Sequence, residues 1–369
     1  MQFVIVTFDF PPNIGGVETR ITNYIINLQQ YGHHVTIVHP STKDNISIEK
    51  YLGAVVYHCP KSPVLAVQTF LRLTHKIPHK IDALFILTGA CSLIGILFLI
   101  WGKVKRIRTG IFLYGLDILN ARENPIRSSL LLLSLIISDK IGVNSKATST
   151  LLPTHSLHKI HFLYPGATLP DHTQYSVNQS TNDKKILYVG RLIKRKGVDD
   201  LLYAFKELNL ILPEAILTIV GSGPMMNFLQ SLTCKLGLNG KVEFTGTLTG
   251  PSLYDQYREC DVFTLPSKQI NNDVEGFGMV FLEAALFKKP GVGTRSGGIP
   301  EAVIDRKTGI LVPEGDIHAL KEALYLLLTD STLSTKLGTN AYNRVISRFS
   351  WNTATTRLFK MFCDQSITQ

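Results

Sequence analysis

The chain has 369 residues, 45% of them hydrophobic and 18% charged, which excludes a disordered protein and leaves room for two globular domains of about 180 residues each. The formal charge of +10 is concentrated early: residues 1–180 hold sixteen Lys and Arg against nine Asp and Glu, and ten of the eleven histidines. Without a basic run of five or a nucleic-acid signature, that balance points to an anionic surface such as lipid headgroups and argues against nucleic acid.

Five cysteines, with no C-x-x-C pair, fit ordinary buried thiols in a reducing compartment. The opening M-Q-F-V-I-V lacks a basic n-region and reads as a first strand, so a cytoplasmic protein is expected. After residues 3–7 comes F-P-P-N-I-G-G at 10–16, then a helical pattern over 17–31. Strand, Gly-rich loop and helix open an α/β unit, and Gly15 and Gly16 would let the backbone approach a ligand. His33 and His34 begin a strand and point to opposite faces, so together with His39 they make no metal site.

Residues 83–101 contain no charge, but Thr88 and Gly89 divide them into a strand and a helix, each too short to span a bilayer. That apolar helix runs into Lys103, Lys105, Arg106 and Arg108; it is read as buried packing, with docking on an anionic bilayer as the second reading. Residues 111–117 read as a strand and its exit loop, and 130–137 as a helix preceding the next strand. The polar run 171–185 is the expected linker.

The second half opens with a strand at 185–189, then V-G-R-L-I-K-R-K-G at 189–197, whose cations suit a diphosphate. Residues 215–224 are another strand and Gly turn, with Pro224 interrupting the dinucleotide fingerprint. At 273–287 the chain reads D-V-E-G-F-G-M-V-F-L-E-A-A-L-F: Glu275 and Glu283 stand eight apart, Gly276 and Gly278 form a turn, and a helix is predicted from Met279. A helix N-terminus there is suited to an anion.

E-G-F-G-M-V-F-L-E, with F-P-P-N-I-G-G-V-E, V-G-R-L-I-K-R-K-G and S-G-G-I-P-E-A-V (296–303) in order around it, resembles the retaining GT-B glycosyltransferases of the group 1, family-four type, over nearly the whole chain. The resemblance implies two Rossmann-like domains facing each other across a cleft: residues 1–175, with the helix 350–369 returning to them, and 176–349, which bind the nucleotide sugar. It implies Arg191 and Lys196 on the donor diphosphate, Glu275 with the Gly278 and Met279 amides and Val280 on the sugar, Glu283 on the ribose, and Gly15 and Gly16 near the donor. Where the family usually has H-G-x-D this chain has Tyr114, Gly115 and Asp117, so Tyr114 and Asp117 are candidate sugar or acceptor contacts and no histidine role carries over. The resemblance implies hexose transfer, mannose favoured, from a nucleoside-diphosphate sugar to a lipid-linked or cell-envelope glycan, without a metal. A sugar-nucleotide epimerase or a non-catalytic nucleotide-sugar-binding protein of the same fold are the alternatives.

Overall fold

The computed structural model describes residues 1–13, 15–41, 46–62, 65–78, 80–168, 184–271 and 273–363. The chain divides into two compact units, Met1–Pro165 with the residues from Trp351 onward, and Gly166–Ser350. The linker expected over 171–185 lies outside the described residues as far as 183, and Lys184 and Lys185 already belong to a strand.

The first unit is built on one sheet, with strands β1 (Gln2–Val6), β2 (His34–Ser41), β3 (Ser47–Tyr51), β4 (Ala54–Pro60), β5 (Ala83–Ile86), β6 (Arg108–Leu113), β7 (Lys140–Val143) and β8 (Ile160–Phe162). Their spatial order is β3-β4-β2-β1-β5-β6-β7-β8, parallel apart from the antiparallel pairing of β3 with β4. Phe3, Val4, Ile5 and Val6 are all fully buried, as expected of a strand covered on both faces. The helix Gly16–Gln30 buries Ile21, Tyr24, Ile25 and Leu28, the one-face spacing of an amphipathic helix. The helix expected over 130–137 begins earlier, at Pro125, because Asn124 accepts from the Ile126 and Arg127 amides and proline suits the first helical position. The helix Trp351–Cys363 lies in this unit's core, with Phe362 edge-on to Phe3 and Phe85. A side chain at Gly110 would come within 2.8 Å of the Phe362 ring, so the glycine in β6 admits that helix.

The second unit has β9 (Lys184–Val189), β10 (Ala215–Val220), β11 (Val242–Gly246), β12 (Val262–Leu265), β13 (Gly291–Thr294) and β14 (Gly309–Val312) in the order β11-β10-β9-β12-β13-β14. Successive strands step outward from β9 to β11, and the order then reverses, with β12 on the other side of β9. In an open parallel sheet the loops leaving the two strands at such a reversal diverge and leave a crevice at their carboxyl ends. The loops concerned here are 190–197 and 266–278. In the first unit the reversal lies between β1 and β5.

Candidate active site

Glycine positions bring the two loops of the second unit together. Gly197 has φ +67°, and a Cβ there would stand 2.1 Å from the Pro266 carbonyl oxygen, so the 190–197 turn can rest against the β12 exit only with glycine. Gly297 has φ +49° and its Cβ would meet the Glu275 carbonyl at 2.1 Å, while the Gly298 amide donates to that carbonyl at 2.8 Å. The S-G-G element therefore holds the Glu275 backbone from behind. Lys268 adds a further clamp, bonding Asp199 and Asp200 at the start of the helix Val198–Ile211 while its amide donates to the Arg195 carbonyl.

These contacts converge on Glu275, which is only 8% exposed. Its Oε2 accepts from Lys196 Nζ at 2.6 Å, Arg195 Nη1 at 2.8 Å and the Ser267 hydroxyl at 3.1 Å. Oε1 takes none of these three bonds. Burial alone would raise the carboxyl, but Lys196 and Arg195 outweigh it and bring it down to about 2. Arg195 also meets Asp273 at 3.1 Å. A carboxylate held charged inside a crevice beside a lysine can position hydroxyls, and the lysine can meet an anion.

Helix Met279–Leu286 begins where the spacing predicts, with Gly278 in the left-handed region at φ +82° and Met279 and Val280 as its first residues. Glu283, one turn in, is half-buried and accepts a hydrogen bond from Tyr257 at 2.7 Å. Burial holds its carboxyl above the usual range and the Tyr257 bond offsets part of that rise. Tyr257 is itself buried, its ring stacked on Phe287.

Lys196 and Glu275 are thus in direct contact, whereas the Arg191 side chain is exposed and takes no part in the cluster. Arg195 takes the place beside Glu275. It, Ser267 and Tyr257 were not singled out from the sequence as site residues; K-R-K contained the arginine, but nothing in the spacing distinguished it from its neighbours.

The remaining candidates lie in the first unit. Gly15 is extended and precedes the helix that Gly16 opens. The Asp117 carboxylate accepts the Tyr114 amide at 3.1 Å, and burial keeps it above the ordinary aspartate range despite that bond. The Tyr114 hydroxyl is buried with no hydrogen-bond partner among the described residues, and its ring packs on Phe112 with Arg20 over its face. His33 stacks on Phe359 and His39 bonds the Thr7 carbonyl; no cluster of three metal-ligating side chains occurs among the described residues. At the carboxyl end of this sheet a cavity of about 630 Å³ is lined by Phe8, Lys61, Cys91, Asp117, Asn120 and Arg127 among others. No described helix is long and apolar enough to cross a membrane.

Residues 173–344 match the family model for glycosyl transferases group 1. Over 97% of its own length and of the relative's, the chain is 27% identical to the GDP-mannose-dependent alpha-(1-6)-phosphatidylinositol monomannoside mannosyltransferase of Mycolicibacterium smegmatis. It is 25% identical, over 96% of each, to the GDP-mannose-dependent monoacylated alpha-(1-6)-phosphatidylinositol monomannoside mannosyltransferase of Corynebacterium glutamicum. Among solved structures it is similar to sucrose-phosphate synthase of Thermosynechococcus elongatus (TM-score 0.77, 21% identity, 98% of each chain) and to HepE of Anabaena in complex with UDP and glucose (TM-score 0.76, 18% identity, 98% and 99%). With both units carrying the doubly wound sheets described above, the chain is a glycosyltransferase built on the GT-B fold, and its residues 173–344 carry the match to the group 1 model.

Proposed function

We propose that the chain transfers mannose from GDP-mannose to a lipid-linked acceptor with retention of configuration, and that Lys196, Glu275 and Glu283 bind the donor. The observation that supports this most is the contact of Lys196 with Glu275 at the reversal point of the second sheet. The mannosyltransferase relatives supply the donor and the acceptor class.

In this reading Lys196 turns from Glu275 to the donor diphosphate, with Arg191 joining it from the exposed side of the same loop. Both stabilise charge as the sugar C1–O bond breaks, without a metal ion. Glu275 keeps its charge and accepts from sugar hydroxyls, the Gly278–Val280 amides face the sugar and phosphate, and Glu283 accepts from the ribose. The acceptor hydroxyl attacks C1 on the face the diphosphate leaves, and its proton passes to a phosphate oxygen. Gly15, Gly16, Tyr114 and Asp117 belong to the acceptor-side domain, residues 1–175 with the C-terminal helix, and the cavity of the first unit is the proposed acceptor pocket.

The partner surface in this reading is an anionic membrane face on the cytoplasmic side. Helices Ala66–Thr74, Leu93–Val104 and Pro125–Ile137 pack side by side and contain no Asp or Glu. They expose Leu71, Val104, Ile126 and Ile136, alongside the cations Arg72, Lys103 and Arg127. Apolar contact together with positive charge is the chemistry of interfacial binding.

The donor reading is tested by GDP or UDP release from GDP-mannose, UDP-glucose and UDP-N-acetylglucosamine, with and without EDTA. GDP-mannose should be turned over in both conditions, and labelled mannose should pass to phosphatidylinositol monomannoside. Turnover confined to a UDP-sugar would overturn the mannose assignment. Sedimentation with phosphatidylglycerol vesicles but not with phosphatidylcholine vesicles is the outcome expected for the membrane.

A further inference from the structure

Arg195 and Lys196 touch the same oxygen of Glu275 but are tied down differently. Arg195 reaches two carboxylates, Asp273 through Nε at 3.1 Å and Glu275 through Nη1 at 2.8 Å, and its carbonyl accepts the Lys268 amide at 2.8 Å. Its side chain is 8% exposed, and to reach a ligand it would have to abandon both acids. Among the described residues Lys196 has one ion-pair partner, Glu275 at 2.6 Å. When Lys196 leaves, Glu275 Oε2 still has Arg195 and the Ser267 hydroxyl. A buried carboxylate stripped of every cation takes up a proton, and a protonated Glu275 loses its value as a hydroxyl acceptor.

We propose that Arg195 is a positioning residue: the permanent counter-ion of Glu275, which keeps that carboxylate charged and aimed while Lys196 is engaged by the diphosphate of the donor. This rests on the donor site proposed above. The groups facing Glu275 are Arg195 and Lys196 from the loop after β9, Tyr188 from β9 itself, Ser267 from the β12 exit and Asp273 from its own loop. Burial raises the Tyr188 phenol, so it stays neutral across the working range and supplies no replacement charge. Arg195 is then the remaining cation on Glu275 once donor is bound.

The test uses the full chain, the sugar nucleotide that the wild type turns over, and the matching nucleoside diphosphate as a binding probe. Arg195→Met should lower kcat roughly 10- to 100-fold through a misplaced Glu275 while leaving the diphosphate Kd within about threefold of wild type. The acid limb of its kcat–pH profile should move upward by at least about one pH unit, because Glu275 in the loaded enzyme has lost its cation. Lys196→Met should instead weaken the diphosphate by about tenfold or more. Arg195→Lys, which keeps the charge but cannot span two acids, should return the acid limb to the wild-type position with kcat still reduced. Should thermal melts show Arg195→Met to be unfolded, Arg195→Lys carries the test on kcat against diphosphate Kd. The proposal is overturned if an Arg195 variant weakens the diphosphate as much as Lys196→Met does, or if kcat falls in a folded Arg195→Met with the acid limb unmoved. Turnover of a UDP-sugar by the wild type would overturn the mannose assignment and leave the Arg195 comparison intact.

Discussion

Each unit has a parallel sheet whose strand order reverses once, yet the two crevices at those reversals differ in chemistry. The second holds a closed set of charges, with Glu275 joined to Lys196, Arg195 and Ser267. The first holds a cavity of about 630 Å³ with Lys61, Asp117 and Arg127 around largely apolar walls. The topology locates a ligand site, and the residues of a few exit loops decide what it takes. A crevice prepared with ion pairs suits a charged nucleotide; one with room and apolar walls suits a bulkier, amphiphilic molecule.

The largest effect should come from breaking the charged crevice. Lys196→Ala should lower donor kcat/KM by roughly 100- to 1000-fold, the size of a lost transition-state charge contact, as measured by nucleoside diphosphate release. Glu275→Ala should be as damaging to activity and should also cost about 3–5 kcal/mol of stability, because the half-buried Lys196 loses its ion-pair partner and the buried Arg195 one of its two acids; a denaturant melt reads this. If both variants keep full activity, the contrast between the crevices says nothing about the donor.

The same ion cluster predicts a pH dependence of stability. The Glu275 carboxyl lies at about 2 in the fold against 4.5 when free. The unfolded chain therefore binds the proton first as pH falls, so the contribution is complete above about 4.5 and is lost on acidification towards 2. It amounts to about 3 kcal/mol at neutral pH. Glu275→Gln should flatten the acid side of the stability–pH curve below pH 5.

The first crevice is sharpened by filling it. Asn120 is exposed at the cavity wall, and Asn120→Trp should cut transfer to a lipid acceptor about tenfold while leaving acceptor-independent donor hydrolysis unchanged. Loss of both activities would show that the cavity is not acceptor-specific. The smallest effect is expected from Tyr257→Phe, which removes one hydrogen bond to Glu283. Donor KM should rise about three- to tenfold with kcat unaltered, in line with a net hydrogen bond of about 1 kcal/mol.

Much of the second unit was legible because its signals are local. The Gly276–Gly278 turn, the helix start at Met279 and the strand before each Gly-rich loop follow from backbone conformations that only certain residues adopt. The motif residues Lys196 and Glu275 do meet, although they are far apart in sequence. Arg191 and Arg195 could not be ranked from spacing, because their difference depends on which way a short turn faces once Gly197 rests against Pro266. Nor could the hydrogen bond of Tyr257 to Glu283, which joins two helices with no shared pattern. Tyr114 was legible only as a candidate sugar or acceptor contact; that its hydroxyl is buried without a partner among the described residues, and that its ring joins the packing around Arg20, depends on elements far apart in sequence.

The order of residues alone determined the α/β alternation, the glycine turns and the identity of the acids and cations available, since these depend on neighbours a few positions away. The tertiary structure decided which cation holds Glu275, which is left in solvent, and where a cavity opens. Those outcomes depend on distances between loops that leave separate strands, and strand order is settled by packing of the whole sheet.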